Sequence, residues 1–155
     1  MTREKKIGLN FRYARLQTGV QIKKFAESVD DIDVIISNFE RGIWVPSFRK
    51  FVKWCITLNA SLDRIVYGND YKKMLSLQRA CERMKKDKKY QEYIFDTLIK
   101  KREEKGLSLS EASKICNISY VTLYRIEQGY NPPSERTLFR LCELYGFEIL
   151  EAKEV

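Results

Sequence analysis

The second half of the chain has apolar residues at every third or fourth position, which is the spacing of helices with one buried face. Gly106 stands where the first of these helices is expected to end. Ser108, Ser119 and Ser134 stand where the following helices are expected to begin, and Glu111 is placed to complete a capping box with Ser108. The expected helices are Tyr93–Lys105, 109–116, 120–128 and 135–145.

The same pattern is present twice in the chain. When the sequence is aligned with itself so that Gly19 meets Gly106, identical residues fall in register and apolar positions match, which predicts that the matched apolar residues form the cores. We therefore expect an all-α protein with two tandem domains of one kind, at residues 1–69 and 93–155. The identical pairs are Ile7/Ile94, Arg15/Arg102, Gly19/Gly106, Glu40/Glu127, Gly42/Gly129, Pro46/Pro133, Ser47/Ser134, Arg49/Arg136 and Cys55/Cys142.

A basic helix at residues 70–92 is expected to connect the two domains. It has one apolar face, which either packs against the domains or pairs with a second chain, and it is either continuous or broken near Asp87. After the second domain, Phe147–Ala152 has the pattern of a short strand. The apolar face consists of Met74, Leu77, Cys81 and Met84, and a basic run near the end of the segment consists of Lys85, Lys86, Lys88 and Lys89.

Composition and charge narrow the possible functions. The chain has no histidine, which removes imidazole bases and imidazole metal ligands. Its four cysteines form no C-x-x-C pair and its glycines form no phosphate-binding loop, so we expect no metal, no cofactor and no enzymatic activity. No apolar run is long enough to span a membrane, and reduced cysteines are expected in a cytoplasmic protein. The net charge of +8 favours nucleic acid as a partner over a membrane surface.

Residues 102–129 have the spacing of two helices joined by a short turn, with small or polar residues at the start of the second helix. Their sequence, REEKGLSLSEASKICNISYVTLYRIEQG, resembles the helix-turn-helix family of phage repressors, Cro proteins and bacterial XRE-type regulators. The resemblance covers both repeats and is looser in the first. It implies a sequence-specific DNA-binding regulator of phage or bacterial origin, with double-stranded DNA as its partner.

The resemblance also assigns roles to residues of the second repeat. Its recognition helix would begin at Ser119, with Arg125 contacting a guanine edge and Thr122 or Val121 a thymine methyl group. Val121 and Tyr120 are equally well explained as packing residues, and Tyr124 lies at the flank of the helix. The resemblance further implies structural ion pairs between Arg102 and Glu127 and between Arg15 and Glu40. The candidates for DNA contact are Ser119, Tyr120, Val121, Thr122, Arg125, Gln128, Asn131 and Ser134, together with Lys85, Lys86, Lys88 and Lys89 of the basic run.

The first repeat departs from this pattern. It has Asp30, Asp31 and Asp33 where DNA would approach, and three carboxylates there would be repelled by phosphates. Nearby apolar residues either fold back into the core or form an exposed patch for a protein partner. The candidates for this protein interface are Val34, Ile35, Ile43, Trp44, Val45 and Phe48.

Two functions are compatible with these patterns. The leading hypothesis is a DNA-binding repressor, activator or antitoxin, in which the second domain recognises sequence and the lysines of the basic run supply salt-sensitive attraction. The first domain would then mediate assembly, for instance as a homodimer. The alternative is a protein-binding module, such as an antitoxin or a phage-encoded inhibitor, that binds its partner through the apolar patch of the first domain.

Overall fold

The structure, a computed structural model, describes residues 1–149, and within them the chain forms ten α-helices and no β-strand. The expected all-α fold is confirmed. The strand expected at Phe147–Ala152 is not formed by residues 147–149, which have no second strand to pair with in the described part, and residues 150–152 lie outside the described residues. The helices are α1 (Arg3–Thr18), α2 (Ile22–Ser28), α3 (Asp33–Glu40), α4 (Phe48–Thr57), α5 (Leu62–Tyr67), α6 (Asp70–Met84), α7 (Lys88–Glu104), α8 (Leu109–Ile115), α9 (Tyr120–Glu127) and α10 (Glu135–Tyr145).

The chain divides into two compact units, Met1–Leu75 and Ser76–Val155. The first unit contains α1 to α5 and the start of α6, and the second contains the rest of α6 and α7 to α10. The boundary falls inside the segment that the sequence assigned to a connecting helix. That the two units are copies of one domain remains a prediction from the internal alignment.

Aromatic side chains fill the core of the first unit. Phe11, Phe25, Phe39 and Trp54 are at most 2% exposed, and the ring centroids of Phe11 and Phe39 lie 5.2 Å apart in an edge-to-face arrangement. Gly8 lets α1 approach the end of α3, because a Cβ at this position would clash with the Phe39 carbonyl oxygen. The core therefore holds the end of α3 against α1.

Aliphatic side chains fill the core of the second unit. Leu98 of α7, Leu123 and Ile126 of α9, and Leu138 and Leu141 of α10 are all buried. Leu98, Leu123, Ile126 and Leu138 occupy apolar positions that the internal alignment predicted to be core, and their burial confirms that prediction. The buried face of α9 thus packs into the centre of this unit.

The connecting helix is broken. Helix α6 ends at Met84, and α7 begins at Lys88 rather than at Tyr93 as the apolar spacing predicted. Asp87 explains the earlier start, because its carboxylate accepts the Tyr90 N–H at 3.0 Å and caps the first turn of α7. This hydrogen bond holds the pKa of Asp87 below its ordinary value. Residues 85–87 therefore separate two helices, which decides between the two alternatives that the sequence left open.

The apolar face of α6 is buried within the chain. Met74, Leu77 and Met84 are at most 6% exposed, and Cys81 is partly buried. This burial favours packing within the chain over pairing of α6 with a second chain. No helix in residues 1–149 is both long enough and apolar enough to cross a membrane.

Candidate nucleic-acid interface

Two short helices, α8 and α9, are joined by a tight turn in the second unit. Ser108 forms the expected capping box of α8, because its hydroxyl accepts the Glu111 N–H at 3.1 Å and the Glu111 carboxylate accepts the Ser108 N–H at 2.8 Å. Asn117 has a φ of 51°, a left-handed conformation that asparagine tolerates. Ser119 then caps α9 by accepting the Thr122 N–H at 3.0 Å. The start of α9 is therefore fixed by local hydrogen bonds, as predicted.

One face of α9 is buried and the rest of the helix is exposed. Leu123 and Ile126 anchor it in the core at 1% and 2% exposure. Tyr120 and Val121 are about half exposed, which argues against the alternative that they are packing residues. The exposed residues of α9 and its C-terminal cap are Tyr120, Val121, Thr122, Tyr124, Arg125 and Gln128.

Arg125 is the cation of this exposed face. Its guanidinium forms no hydrogen bond or ion pair with any of residues 1–149. Its position in the last turn of α9 is favourable, because a cation is stabilised by the helix dipole there. The five N–H donors of the guanidinium are therefore available to an external acceptor such as a phosphate or the edge of a guanine.

An ion pair fixes the end of α9. Arg102 of α7 donates to both carboxylate oxygens of Glu127, at 2.6 and 2.9 Å, and to the Leu107 carbonyl oxygen at 2.8 Å. The hydrogen bond to Glu127 raises the pKa of Arg102, so the guanidinium remains charged. In the first unit, Arg15 donates to both carboxylate oxygens of Glu40, at 2.6 and 2.8 Å. Both ion pairs implied by the resemblance are confirmed.

A stacked pair of tyrosines lies on the exposed face of α9. The rings of Tyr120 and Tyr124 have centroids 6.3 Å apart and planes inclined by 14°. The i, i+4 spacing of the two tyrosines is the signal in the sequence from which this contact can be predicted, and the contact was not among the expectations above. The stack gives α9 an ordered aromatic surface, and Tyr124 directly precedes Arg125 in the sequence.

Two of the candidate DNA-contacting side chains, those of Ser119 and Ser134, form hydrogen bonds within the protein. The hydroxyls of Ser119 and Ser134 accept the N–H groups of Thr122 and Thr137, at 3.0 and 3.2 Å. The capping box of α8 occupies a further backbone donor. Phosphate contacts at these helix starts would therefore come from the remaining backbone N–H groups, which are suited to anions. Asn131 is exposed in the loop between α9 and α10.

The basic run is exposed and is interrupted by the helix break. Lys85 and Lys86 lie between α6 and α7, and Lys88 and Lys89 open α7. All four side chains are exposed. Cations are disfavoured at the start of a helix by its dipole, so helix stability does not explain Lys88 and Lys89. An anionic partner would explain them.

Two of the three aspartates near the start of α3 form ion pairs within the first unit. Asp31 pairs with Lys50 at 2.8 Å, and Asp30 pairs with Lys53 at 3.2 Å. Both lysines come from α4, which only the tertiary structure brings near, and the expected repulsion of DNA by these carboxylates remains a prediction. Asp33 is exposed and forms no ion pair within residues 1–149.

Five of the six residues predicted to form a protein interface are exposed on the first unit. The exception is Ile35, which is partly buried and packs against the core because it lies on the inner side of α3. Ile32, which was not among the residues predicted to form a protein interface, is 60% exposed and lies directly before α3. We define the unit 1 apolar patch as Ile32, Val34, Ile43, Trp44, Val45 and Phe48.

Cys55 and Cys116 are buried, and Cys81 and Cys142 are partly buried. Burial raises the pKa of Cys55 and Cys116 to about 11 and that of Cys142 to about 12, so all three remain protonated at neutral pH. Among residues 1–149, no group of His, Cys, Asp and Glu side chains is arranged to hold a metal ion.

Comparison with known proteins supports the interpretation of the second unit. The helix-turn-helix family matches residues 98–151, which include α8, the turn and α9. The chain is also 27% identical over 156 residues to the glutamine–fructose-6-phosphate aminotransferase (isomerizing) of Methanocaldococcus jannaschii, and this match covers 94% of the chain but 14% of that protein. No solved structure matches the chain significantly. Residues 98–151 are therefore similar to a helix-turn-helix domain of the repressor-like, XRE type, and this similarity supports DNA binding in general.

Proposed function

We propose that this protein is a sequence-specific transcriptional regulator of the repressor type whose α9 enters the major groove of double-stranded DNA. The family match supports DNA binding in general, and base recognition by α9 is the finer part of the proposal. Such a regulator acts where the DNA is, so the proposal includes a cytoplasmic location. The protein is proposed to have no enzymatic activity.

The exposed face of α9 is the observation that carries this proposal. It holds one cation, Arg125, that forms no hydrogen bond or ion pair within residues 1–149, and the neighbouring Val121 and Thr122 suit a thymine methyl group. It has no acidic residue, so nothing on this face opposes the approach of phosphates. The Arg102–Glu127 ion pair and the Ser119 cap hold the helix at both ends.

The name of the matched aminotransferase does not extend to this chain. The matched region is 14% of that protein, and the similarity does not assign any part of its catalytic activity to this region. A DNA-binding role accounts for the exposed residues of α9 and for the lysines of the basic run, neither of which an aminotransferase activity would explain.

A protein-binding module remains the second candidate function, because the unit 1 apolar patch is exposed rather than folded into the core. In that case α9 would be a surface without a nucleic-acid partner. The two candidates differ in the residue on which binding depends, which is Arg125 for DNA recognition and Phe48 for a protein module. Phe48 is the better probe of the patch because it is 76% exposed, whereas Trp44 also contacts Trp54 at 6.3 Å between ring centroids.

Selection of bound duplexes from a random DNA pool tests the proposal. Wild-type protein, Arg125→Ala and Lys24→Ala are compared at near-physiological salt, where non-specific attraction is partly screened. Lys24 is an exposed cation on α2, so its substitution removes the same charge from outside the proposed interface.

The proposal predicts that wild type and Lys24→Ala enrich the same motif, and that Arg125→Ala enriches a motif relaxed at one or two positions or no motif. Enrichment of no motif by any of the three proteins would contradict DNA sequence recognition. An unchanged motif with Arg125→Ala would contradict the role of α9.

A further inference from the structure

The unit 1 apolar patch exposes an unusual amount of apolar surface for a monomer. Val34, Ile43 and Val45 are between 57% and 61% exposed, Ile32 is 60% exposed and Phe48 is 76% exposed. With typical side-chain areas, the six residues expose about 600 to 700 Å², which is at or above the largest patch of an ordinary monomer. Leaving this surface in water costs free energy that a binding partner would recover.

The patch is one continuous surface rather than scattered residues. Lys50 joins its two sides, because the ammonium lies 5.9 Å from the centroid of the Trp44 ring and 2.8 Å from the Asp31 carboxylate, next to Ile32. Val34 follows in the first turn of α3. Residues 43–45 and Phe48 lie on either side of the buried Pro46, in the loop and at the start of α4.

The helical fold does not require apolar residues at these positions. In the internal alignment, Ile32 corresponds to Ser119, and each residue directly precedes a helix, α3 or α9. Phe48 corresponds to Glu135, and each is the first residue of a helix, α4 or α10. Ser119 caps α9, whereas Ile32 provides no side-chain cap to α3. The first unit therefore has an exposed apolar side chain at a position where a serine would cap and stabilise the helix.

We infer that the unit 1 apolar patch is the interface of a symmetric homodimer, in which the patch of one chain packs against the same patch of a second copy. The area supports this occupant, since specific interfaces bury about 600 to 1,000 Å² on each partner and the patch exposes about 600 to 700 Å². A two-fold interface places the same surface on both subunits, so the patch has to be complementary to itself.

The charges around the patch satisfy that requirement. Charges of both signs lie beside the patch, because Asp31 pairs with Lys50 at 2.8 Å and Asp30 pairs with Lys53 at 3.2 Å, although the whole chain carries a net charge of +8. A surface whose neighbouring charges are paired within the chain can meet a copy of itself without strong repulsion, whereas a strongly acidic partner would be matched by a surface that carries only positive charge.

The dimer would carry two copies of α9 related by a two-fold axis, an arrangement that suits an inverted repeat in DNA. The oligomeric state is measured without DNA, so this measurement does not depend on whether α9 recognises bases. A monomeric protein could still bind DNA, and a dimeric protein could fail to do so.

Sedimentation equilibrium of the full chain tests the interface. Wild type is compared with Ile43→Glu and with a matched control, Ile115→Glu, since Ile43 is 61% exposed within the patch and Ile115 is 59% exposed on α8. Phe48→Glu is a second patch variant that is expected to fold, because it places an acidic residue in the first turn of α4, where the helix dipole favours it. Circular dichroism confirms the helix content of each variant.

The expected result is a wild-type dimer at micromolar concentration, an unchanged dimer for Ile115→Glu, and dissociation constants at least tenfold higher for Ile43→Glu and Phe48→Glu. A monomeric wild type at tens of micromolar would overturn the inference and leave the patch to a different protein. A dimer that persists in both patch variants would overturn it as well, because another surface would then hold the two chains together.

Discussion

Arg102 and Glu127 form a two-point ion pair, at 2.6 and 2.9 Å, that ties α7 to the last residue of α9. The side chains are 13% and 5% exposed, so the charges are largely withdrawn from water. Arg15 and Glu40 repeat this arrangement between α1 and α3. The position of the exposed face of α9 therefore depends on a contact that lies behind it.

Arg102→Ala should destabilise the second unit by about 3 to 5 kcal/mol, because it leaves the Glu127 carboxylate buried without its partner. The free energy of unfolding is measured by denaturant titration with circular dichroism. Lys101→Ala is the control, since Lys101 pairs with Glu104 at 3.0 Å on the surface and its removal should cost less than about 1 kcal/mol. Equal losses from the two substitutions would show that the buried pair has no special role.

The capping box of α8 predicts a dependence of stability on pH. Hydrogen bonds from Ser108 lower the pKa of Glu111 below its ordinary value of 4.5, so the folded protein favours the charged carboxylate. The resulting stabilisation is complete above that pH and is lost as the pH falls through the lower pKa of the folded state. In Glu111→Gln this contribution does not titrate.

Unfolding midpoints of wild type and Glu111→Gln, measured from about pH 6 to about pH 3, test this prediction. The stability of wild type relative to the variant should decrease as the pH falls. A difference that stays constant over the whole range would mean that the carboxylate charge does not contribute.

The lysines of the basic run should control the dependence of DNA affinity on salt. Replacing Lys85 and Lys86 with Gln should lower the slope of log K against log salt concentration by up to about 2, since each phosphate contact contributes about 0.9. The enriched motif should not change, because contacts with phosphate carry no sequence information. The same double substitution at the exposed Lys23 and Lys24 should leave the slope unchanged, and a similar loss of slope there would assign the effect to net charge alone.

The Tyr120–Tyr124 stack should position Tyr120 for contact with DNA. Tyr124→Ala removes the ring that supports Tyr120, and an aromatic pair contributes about 0.5 to 1.5 kcal/mol, so affinity for the enriched motif should decrease about 2- to 13-fold. Tyr124→Phe keeps the ring and should bind like wild type. Fluorescence anisotropy with the enriched and a scrambled duplex measures both affinities. If Tyr124→Phe loses as much affinity as Tyr124→Ala, the hydroxyl rather than the stack is responsible.

The features that the sequence predicted correctly depend on neighbouring residues. Ser108, Ser119 and Ser134 cap the expected helices, because a cap is a hydrogen bond over three residues and is visible in a short sequence segment. The start of α7 was predicted incorrectly at Tyr93, because the apolar spacing begins later than the cap that Asp87 provides.

The features that the sequence did not predict depend on contacts between distant segments. Asp30 and Asp31 form ion pairs with lysines of α4, and no local pattern indicates that these residues meet. Ile35 faces the core while Val34 faces solvent, which depends on where α3 begins. Whether the apolar residues of the patch fold into the core or remain exposed also depends on the positions of the helices. The sequence alone therefore left both alternatives open.

A cycle of base-pair and protein substitutions tests the central claim most directly, namely that Arg125 of α9 recognises a base. Each base pair of the enriched motif is changed in turn, and the affinities of wild type and Arg125→Ala are measured for every duplex at one salt concentration. Wild type should lose about 1 to 3 kcal/mol at a guanine that contacts Arg125, and Arg125→Ala should be insensitive at that position while remaining sensitive at the others. If wild type and Arg125→Ala lose the same affinity at every position, Arg125 contacts no base and the account of α9 as the recognition helix is wrong.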